Sequence, residues 1–109
     1  MRQGFFGQHW TDEQDRPAGG VSTGRGFTIS WQNGPLGRGA DRKEATGAFV
    51  EDIIDAARQR IGFYQDASGG RCACEENAEA IHYLTMALNA LDQRTQAREA
   101  RAVEGTHTP

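Results

Sequence analysis

The stretch ACEENAEAIHYLTMALNALDQRTQAREARAV, residues 73–103, decides the fold class of this chain. Its apolar residues recur at steps of three and four, which is the period of an amphipathic α-helix close to a coiled-coil seam. Acidic residues open the stretch and arginines close it, as the helix dipole favours. The pattern therefore predicts one long helix, whose apolar stripe comprises Ala78, Ile81, Leu84, Leu88, Leu91 and Thr95.

A second helix is predicted upstream, over TGAFVEDIIDAARQRIGFYQ. Thr46 is suited to cap its N-terminus, and the DASGG segment, Asp66 to Gly70, breaks it. The two helices form a hairpin over about 47–104, in which the longer helix overhangs the shorter by about two turns, or roughly 11 Å. A second copy of the chain is the simplest partner for that overhang, so we expect a homo-oligomer.

The segment ahead of the hairpin favours β-structure. Phe27, Ile29 and Trp31 alternate with polar residues, and Asn33-Gly34 is a turn signal. Because one strand needs a partner, the N-terminal arm or another subunit must supply it. Residues 1–24 are rich in glycine and polar residues, and we expect a loosely ordered arm there. The predicted fold class is α+β, with a single domain over 25–109 whose β region spans about 25–45.

The composition excludes several functional classes. A formal net charge of -3 argues against a DNA- or RNA-binding protein, and no apolar run is long enough for a membrane span. Cys72 and Cys74 cannot complete a zinc site by themselves, and we expect reduced thiols in a cytosolic protein. No P-loop, HExxH or GxSxG motif is present, so we expect a non-enzyme without metal or cofactor.

Three arginines near the C-terminus form a candidate anion site. Arg94, Arg98 and Arg101 are spaced four and then three residues apart, which places them on one face of a continuous helix. Such a face is either a solvated stripe that offsets the helix dipole, or a site for phosphate oxygens, which arginine binds in bidentate fashion. Thr106 and His107 follow, and with Arg98 and Arg101 they form a second, weaker candidate for an anion site.

Asn77 lies near the apolar stripe and raises a related question. An asparagine at such a position either sets the register of an oligomer or holds a polar ligand. It precedes Arg94 by 17 residues, which is about 25 Å along a helix. If two copies pack their long helices antiparallel, Asn77 of one chain approaches Arg94 of the other, and two symmetric pockets form. Phe63 and Tyr64 lie near the Asn77 end and could stack on a base.

Three segments in this order resemble the phage anti-Thoeris sponge proteins, which share a helical-hairpin domain with the anti-CBASS sponges. The segments are FTISWQNGPLGRG, GAFVEDIIDAARQRIGFYQ and CACEENAEAIHYL…LNALDQRTQAREARAVEGTH, and they cover about Arg25 to His107. The resemblance implies a non-enzyme that sequesters cyclic ADP-ribose isomers in the cytoplasm of the infected bacterium. It also implies a homodimer or hexamer, with separate sites for cyclic dinucleotides or trinucleotides.

The resemblance also implies particular ligand contacts. In that family an asparagine early in the long helix and an arginine late in it contact the cyclic ADP-ribose ligand, and by spacing they match Asn77 and Arg94. The implied pocket aromatic is represented by Phe63 and Tyr64, while Cys72 stands where a phenylalanine is expected. The alternative hypothesis is an oligomeric helical-hairpin module that binds another protein, in which Arg94 is only a dipole partner.

Overall fold

A computed structural model describes residues 2–102 and 105–107 of the chain. The α+β prediction is confirmed, because a three-stranded antiparallel sheet precedes two helices. The described residues form two compact units. One unit comprises the residues up to Phe49 together with those from Arg98 onward, and the other comprises Val50–Ala97.

The sheet is built from β1 (Phe5–Thr11), β2 (Pro17–Gly24) and β3 (Phe27–Trp31), with β2 in the centre. The expectation of a loosely ordered arm is therefore wrong for residues 5–24, which form two of the three strands. The arm supplies the partner that β3 needs, and the β region begins well before the predicted residue 25. Glycine occupies many strand positions here, and glycine has low strand propensity.

Small residues of β2 make room for the aromatic side chains of its neighbours. A Cβ on Gly24 would lie 2.8 Å from the Phe27 ring and 2.9 Å from Phe5. The Phe5 and Phe27 rings meet edge to face, with their centroids 5.8 Å apart. Trp31 donates its indole N–H to the hydroxyl of the buried Ser22, at 2.9 Å. Aromatic pairs of this kind stabilise by about 0.5–1.5 kcal/mol, which helps to explain strands that local propensity does not favour.

The turn between β1 and β2 is closed by Asp12. Its carboxylate accepts the backbone N–H groups of Gln14 at 2.9 Å and Arg16 at 3.0 Å, and forms an ion pair with Arg16 Nε at 2.8 Å. The backbone hydrogen bond from Arg16 is the largest of the interactions that hold the pKa of Asp12 below its ordinary value.

This turn should make the stability of the β1–β2 hairpin sensitive to acid. Because the pKa of Asp12 is lower in the folded state, its stabilisation is complete above about pH 4 and is lost as pH falls through the folded pKa. We expect Asp12→Asn to lower Tm at neutral pH and to flatten the acid-induced decrease in Tm. Thermal melts between about pH 2 and pH 7 measure this. The control is Glu13→Gln, which leaves the bonds of the Asp12 carboxylate intact and should retain the wild-type dependence of Tm on pH. An equal flattening in that control would contradict the assignment of the acid sensitivity to Asp12.

The segment before the first helix covers the outer edge of β3. Gln32 N donates to Ala48 O at 3.0 Å, and Ala48 N donates to Ser30 O at 2.7 Å. Thr46 belongs to this segment, because its hydroxyl accepts the N–H of Asn33 at 3.1 Å and its own N–H donates to Gln32 Oε1 at 2.8 Å. The predicted role of Thr46 as a helix cap is therefore wrong, since its side chain fastens the loop to the sheet.

Gly47 lies where this segment approaches β3 most closely. A Cβ at Gly47 would lie 2.5 Å from Ser30 O and 2.6 Å from the carbonyl carbon of Trp31. Both are backbone atoms, so relief requires a shift of the strand. We expect Gly47→Ala to lower the free energy of unfolding by about 1–3 kcal/mol, measured by urea denaturation. The control is Gly62→Ala, because a Cβ at Gly62 meets nothing within 4 Å, and alanine in a helix is stabilising by roughly 0.5–1 kcal/mol. Equal effects would contradict the steric argument.

The helices are α1 (Val50–Gly70) and α2 (Glu75–Ala100). The predicted break within Asp66–Gly70 is confirmed, because Ala67 has a ψ of 147° and Ser68 a φ of 57°. The two helices make polar contact where the Arg58 guanidinium donates to Thr85 Oγ1 at 3.2 Å. Arg58 also forms an ion pair with Asp55 at 2.8 Å, so its position over α2 is fixed from its own helix.

The helix α2 ends at Ala100, whereas the pattern predicts an end at Val103. Positions 103 and 104, where the predicted helix and hairpin end, lie outside the described residues. Arg101 N donates to Arg98 O at 3.1 Å, a one-turn tightening typical of helix ends. Ala102 then adopts a left-handed φ of 56°, which terminates a helix. Arg101 therefore lies past the helix, and the prediction of three arginines on one helical face is wrong.

The described residues include no fully buried hydrophobic side chain. The apolar stripe of α2 is half-buried from Ile81 to Leu91, and large side chains such as Tyr83 and Met86 are exposed. When exposed apolar side chains form a contiguous patch, that patch is typical of an interaction site. Within the described residues, no helix combines the length and apolar character needed to cross a membrane.

Candidate functional site

Arg94 is exposed near the end of α2. Its guanidinium makes no ion pair or hydrogen bond with any described residue. Arginine carries five N–H donors and keeps its charge at any physiological pH. All of that donor capacity is therefore open to a ligand or a partner.

Asn77 lies in the first turn of α2 and is half-buried. Its backbone N–H donates to Cys74 Sγ at 3.4 Å, so the cysteine thiol acts as the cap of this helix. The side-chain amide of Asn77 makes no hydrogen bond with the described residues. The cap holds the Asn77 backbone in place while its amide donors and acceptor remain unused, which is the arrangement required of a ligand-binding amide.

Gln65 fastens the start of α2 to the end of α1. Its side-chain amide donates to Cys74 O at 3.1 Å and accepts the N–H of Cys74 at 2.9 Å. As a result the start of α2, with Asn77, and the end of α1, with Phe63 and Tyr64, lie at the same end of the two-helix unit.

The aromatic pair at that end is joined by a cation. Phe63 and Tyr64 are 55% and 41% exposed, and the Arg60 guanidinium lies 5.0 Å from the centroid of each ring. Arg60 Nε also donates to the Tyr64 hydroxyl at 3.2 Å. Guanidinium stacking on aromatic faces is favourable by about 0.5–1 kcal/mol at exposed sites. The cluster offers ring faces and a positive charge to a planar, anionic ligand.

Arg60 is a residue that the sequence analysis missed. The signal was available, because Arg60 precedes Tyr64 by four residues and Phe63 by three, and side chains at these spacings meet on a helix. Arg60 therefore adds a positive charge to the aromatic pair.

The predicted ligand contacts fall into two groups on the structure. Asn77 lies at the same end as the aromatic cluster, whereas Arg94 lies 17 residues further along α2, or about 25 Å away. One small ligand cannot contact both groups within one chain. Within the described residues, no group of three or more His, Cys, Asp or Glu side chains could hold a metal ion.

Arg98 has a different environment from Arg94. Its side chain is buried, with 6% exposure, and its Nη2 donates to Thr106 O at 2.6 Å. Gly105 O accepts the N–H of Gly37 at 2.7 Å, and Arg38 pairs with Glu99 at 3.3 Å. These bonds fasten the described C-terminal residues to the loop that follows β3, so Arg98 has a structural role. As a ligand contact it remains a prediction, and so does Arg101.

His107 lines a cleft of about 320 Å³ in the unit that contains the sheet. Its ring lies beside Gly34, where an added Cβ would come within 3.7 Å of Nε2. Neither Arg98, Arg101 nor Thr106 lines this cleft. Of the second predicted anion site, Arg98 and Thr106 therefore share a structural contact, whereas His107 lines a separate cleft. The cleft is lined by Asp12, Pro17, Ala18, Asn33, Gly34, Pro35, Gly37, Lys43, Gly105 and His107.

A relative of stated function supports the resemblance noted in the sequence. No protein-family profile matches the chain. The chain is 38% identical over 84 residues to a protein named "Thoeris anti-defense 1" from Bacillus phage SBSphiJ7, an alignment that covers 77% of this chain. The chain belongs to the phage anti-Thoeris family. The alignment covers 54% of the phage protein, so the chain spans about half the length of this anti-Thoeris relative.

Family membership agrees with the resemblance drawn from the three segments, which covered about Arg25 to His107. Asn77 and Arg94 both lie on the long helix α2, and neither side chain has a hydrogen-bond or ion-pair partner among the described residues.

Proposed function

We propose that this chain counteracts Thoeris-type defence by binding a cyclic ADP-ribose-type signalling nucleotide without cleaving it. The binding pocket forms between two copies of the chain, with Asn77 and the aromatic cluster from one copy and Arg94 from the other. The protein acts where the signal accumulates, in the cytoplasm of the infected bacterium. The observation that carries the proposal is that Asn77 and Arg94, at opposite ends of one helix, have side chains without a partner in the part of the chain that the structure describes.

The chemistry of the two groups suits such a ligand. A cyclic ADP-ribose isomer contains a pyrophosphate, two riboses and an adenine. Arg94 offers bidentate donors to the phosphate oxygens, the Asn77 amide can donate to and accept from a ribose hydroxyl or base edge, and Phe63 and Tyr64 offer ring faces to the adenine. Arg60, stacked on both rings, adds a second positive charge near the base.

The separation of the two groups supports a two-chain pocket. Because Asn77 and Arg94 cannot reach one small ligand within a chain, antiparallel packing of two α2 helices is the simplest arrangement that brings them together. Such packing would also cover the half-buried stripe of α2, which the described residues of one chain leave without a full core. A two-fold axis then produces two equivalent pockets.

The cleft lined by His107 and Lys43 is the proposed second site, for cyclic dinucleotides or trinucleotides. A lysine, a histidine and several glycine backbone groups line it, and such groups can donate to phosphate oxygens. Arg98 is not part of that proposal, because its guanidinium is committed to Thr106.

A thermal-shift panel tests the proposed function. Purified protein is melted with cyclic ADP-ribose isomers, cyclic dinucleotides, cyclic trinucleotides and linear ADP-ribose. Ligand at 100 times its Kd stabilises the folded state by about 2.7 kcal/mol, a shift of several degrees. We expect a large shift with one cyclic ADP-ribose isomer and recovery of that nucleotide intact after heat denaturation. Cleaved nucleotide, or the absence of any shift with the cyclic ADP-ribose isomers, would contradict the proposal.

Mixing two inactive variants tests whether the pocket lies between chains. Asn77→Ala and Arg94→Ala each damage both pockets of a homodimer. In a refolded equimolar mixture, half of the dimers are heterodimers, and each heterodimer has one intact pocket, so about a quarter of the sites should recover wild-type affinity in isothermal titration. A pocket within one chain would give no recovery.

A further inference from the structure

The outer edge of β1 is open, and it differs in this respect from the outer edge of β3. The segment that contains Ala48 covers the edge of β3 through bonds to Ser30 and Gln32. No described segment pairs with the outer edge of β1, since β1 is a terminal strand of the sheet. All seven residues of β1 are exposed.

This edge lacks most of the features that normally protect a sheet from pairing with another chain. Protected edge strands are short, or carry β-bulges, lysine, proline or inward-pointing charges. The β1–β2 pairing has one register shift, between His9 and Thr11, and its additional residue lies on β2 and not on the edge strand. β1 runs for seven residues, FFGQHWT, without Asp, Glu, Lys, Arg or Pro. Its backbone therefore offers a long, uncharged row of donors and acceptors.

The side chains of β1 are self-complementary about Gln8. Phe6 and Trp10 lie two residues before and after Gln8, on the same face of the strand. In an antiparallel pair centred on Gln8, Phe6 of each copy lies opposite Trp10 of the other, at the distance where cross-strand aromatic pairs interact. Phe6 and Trp10 are 59% and 47% exposed in the single chain, so pairing would cover both.

We propose that β1 pairs antiparallel with β1 of a second copy, centred on Gln8, to form a continuous six-stranded sheet across a two-fold axis. One aromatic residue lies on each side of Gln8, so the strand is nearly palindromic. This arrangement favours a second copy of the chain as the partner of β1. A two-fold interface requires a surface that matches itself, and this strand does so without opposing like charges. The interface is distinct from the nucleotide pocket, because it uses no residue of that pocket.

Disulfide trapping tests the pairing and its register. Gln8→Cys is introduced into full-length protein in which Cys72 and Cys74 are replaced by serine, and a mild oxidant is added. Opposed residues of an antiparallel pair have Cα atoms about 4.5–5.5 Å apart, within the range of a disulfide. Thr28→Cys is the matched control, because Thr28 is exposed on the same face of the sheet. In the proposed sheet its symmetry mate is more than about 24 Å away, because five strand spacings separate the two copies of β3.

We expect covalent dimer to form roughly 100-fold or more faster with Gln8→Cys than with Thr28→Cys, because association raises the local thiol concentration from micromolar to millimolar. Equal rates for the two variants would overturn the proposal. Should Gln8→Cys fail to fold, hydrogen exchange on wild-type protein decides the question. Protection of all β1 amides supports pairing, whereas unprotected exchange at alternate β1 amides overturns it. Neither outcome depends on nucleotide binding.

Discussion

Replacing Arg94 by alanine should abolish most of the nucleotide-induced rise in melting temperature. A hydrogen bond between a charged donor and its partner contributes about 1.5–3 kcal/mol, which corresponds to a loss of roughly 10- to 150-fold in affinity. The change should leave the fold intact, because Arg94 is exposed and has no hydrogen-bond or ion-pair partner among the described residues. Isothermal titration with the best nucleotide of the panel measures the effect.

Two further variants test whether the effect of Arg94→Ala depends on the geometry of the guanidinium or only on its charge. Arg94→Lys retains the positive charge but loses the bidentate geometry, so its affinity should fall between those of wild type and Arg94→Ala. Arg42→Ala removes an exposed arginine of the other compact unit, whose backbone bond to Gly39 does not need the side chain. Wild-type affinity in Arg94→Ala would contradict the proposed pocket and favour the protein-interaction hypothesis. A similar loss in Arg42→Ala would point to a general charge effect.

The second large effect is expected at Arg98, and it is an effect on stability. Arg98→Met retains the aliphatic stem but removes the donors that hold Thr106 O. The loss of a buried, charge-assisted hydrogen bond costs about 1.5–3 kcal/mol, or roughly 5–15 °C in Tm for a domain of this size. Thermal melts of the nucleotide-free protein, at fixed protein concentration, measure this effect.

The comparison with ligand binding separates the two hypotheses for Arg98. If the side chain mainly fastens the C-terminal residues, then Arg98→Met lowers the Tm of the nucleotide-free protein, and Arg98→Lys restores part of it. If Arg98 is instead a nucleotide contact, the affinity for cyclic nucleotides falls while the Tm of the free protein stays at the wild-type value. The 6% exposure of the side chain favours the first outcome.

The contrast between Arg94 and Arg98 has a simple geometric origin. On a helix, residues four apart lie on one face, and sequence spacing alone gives them the same environment. The two residues nevertheless fall in different compact units, since the boundary lies between Ala97 and Arg98. Arg98 donates to Thr106 O within its own unit, whereas the Arg94 side chain has no hydrogen-bond or ion-pair partner among the described residues.

The long helix and the α+β class followed from the sequence because their signals are local and periodic. An apolar residue every three or four positions makes α2 amphipathic wherever its partner comes from. The alternation at Phe27, Ile29 and Trp31 identified β3 in the same way, and the DASGG segment identified the end of α1. The resemblance of the three segments to the anti-Thoeris proteins was likewise apparent from the sequence alone.

The tertiary structure decided the features that depend on residues distant in the chain. β1 and β2 were missed because their many glycines weaken the local strand signal, and it is the contact of Phe5 and Phe27 across Gly24 that makes a glycine suitable at that position. Thr46 was assigned to a helix cap because its bonds to Gln32 and Asn33 cannot be read from the adjacent sequence. Periodicity reports which face of an element is apolar, but only the path of the chain determines which polar group meets which partner.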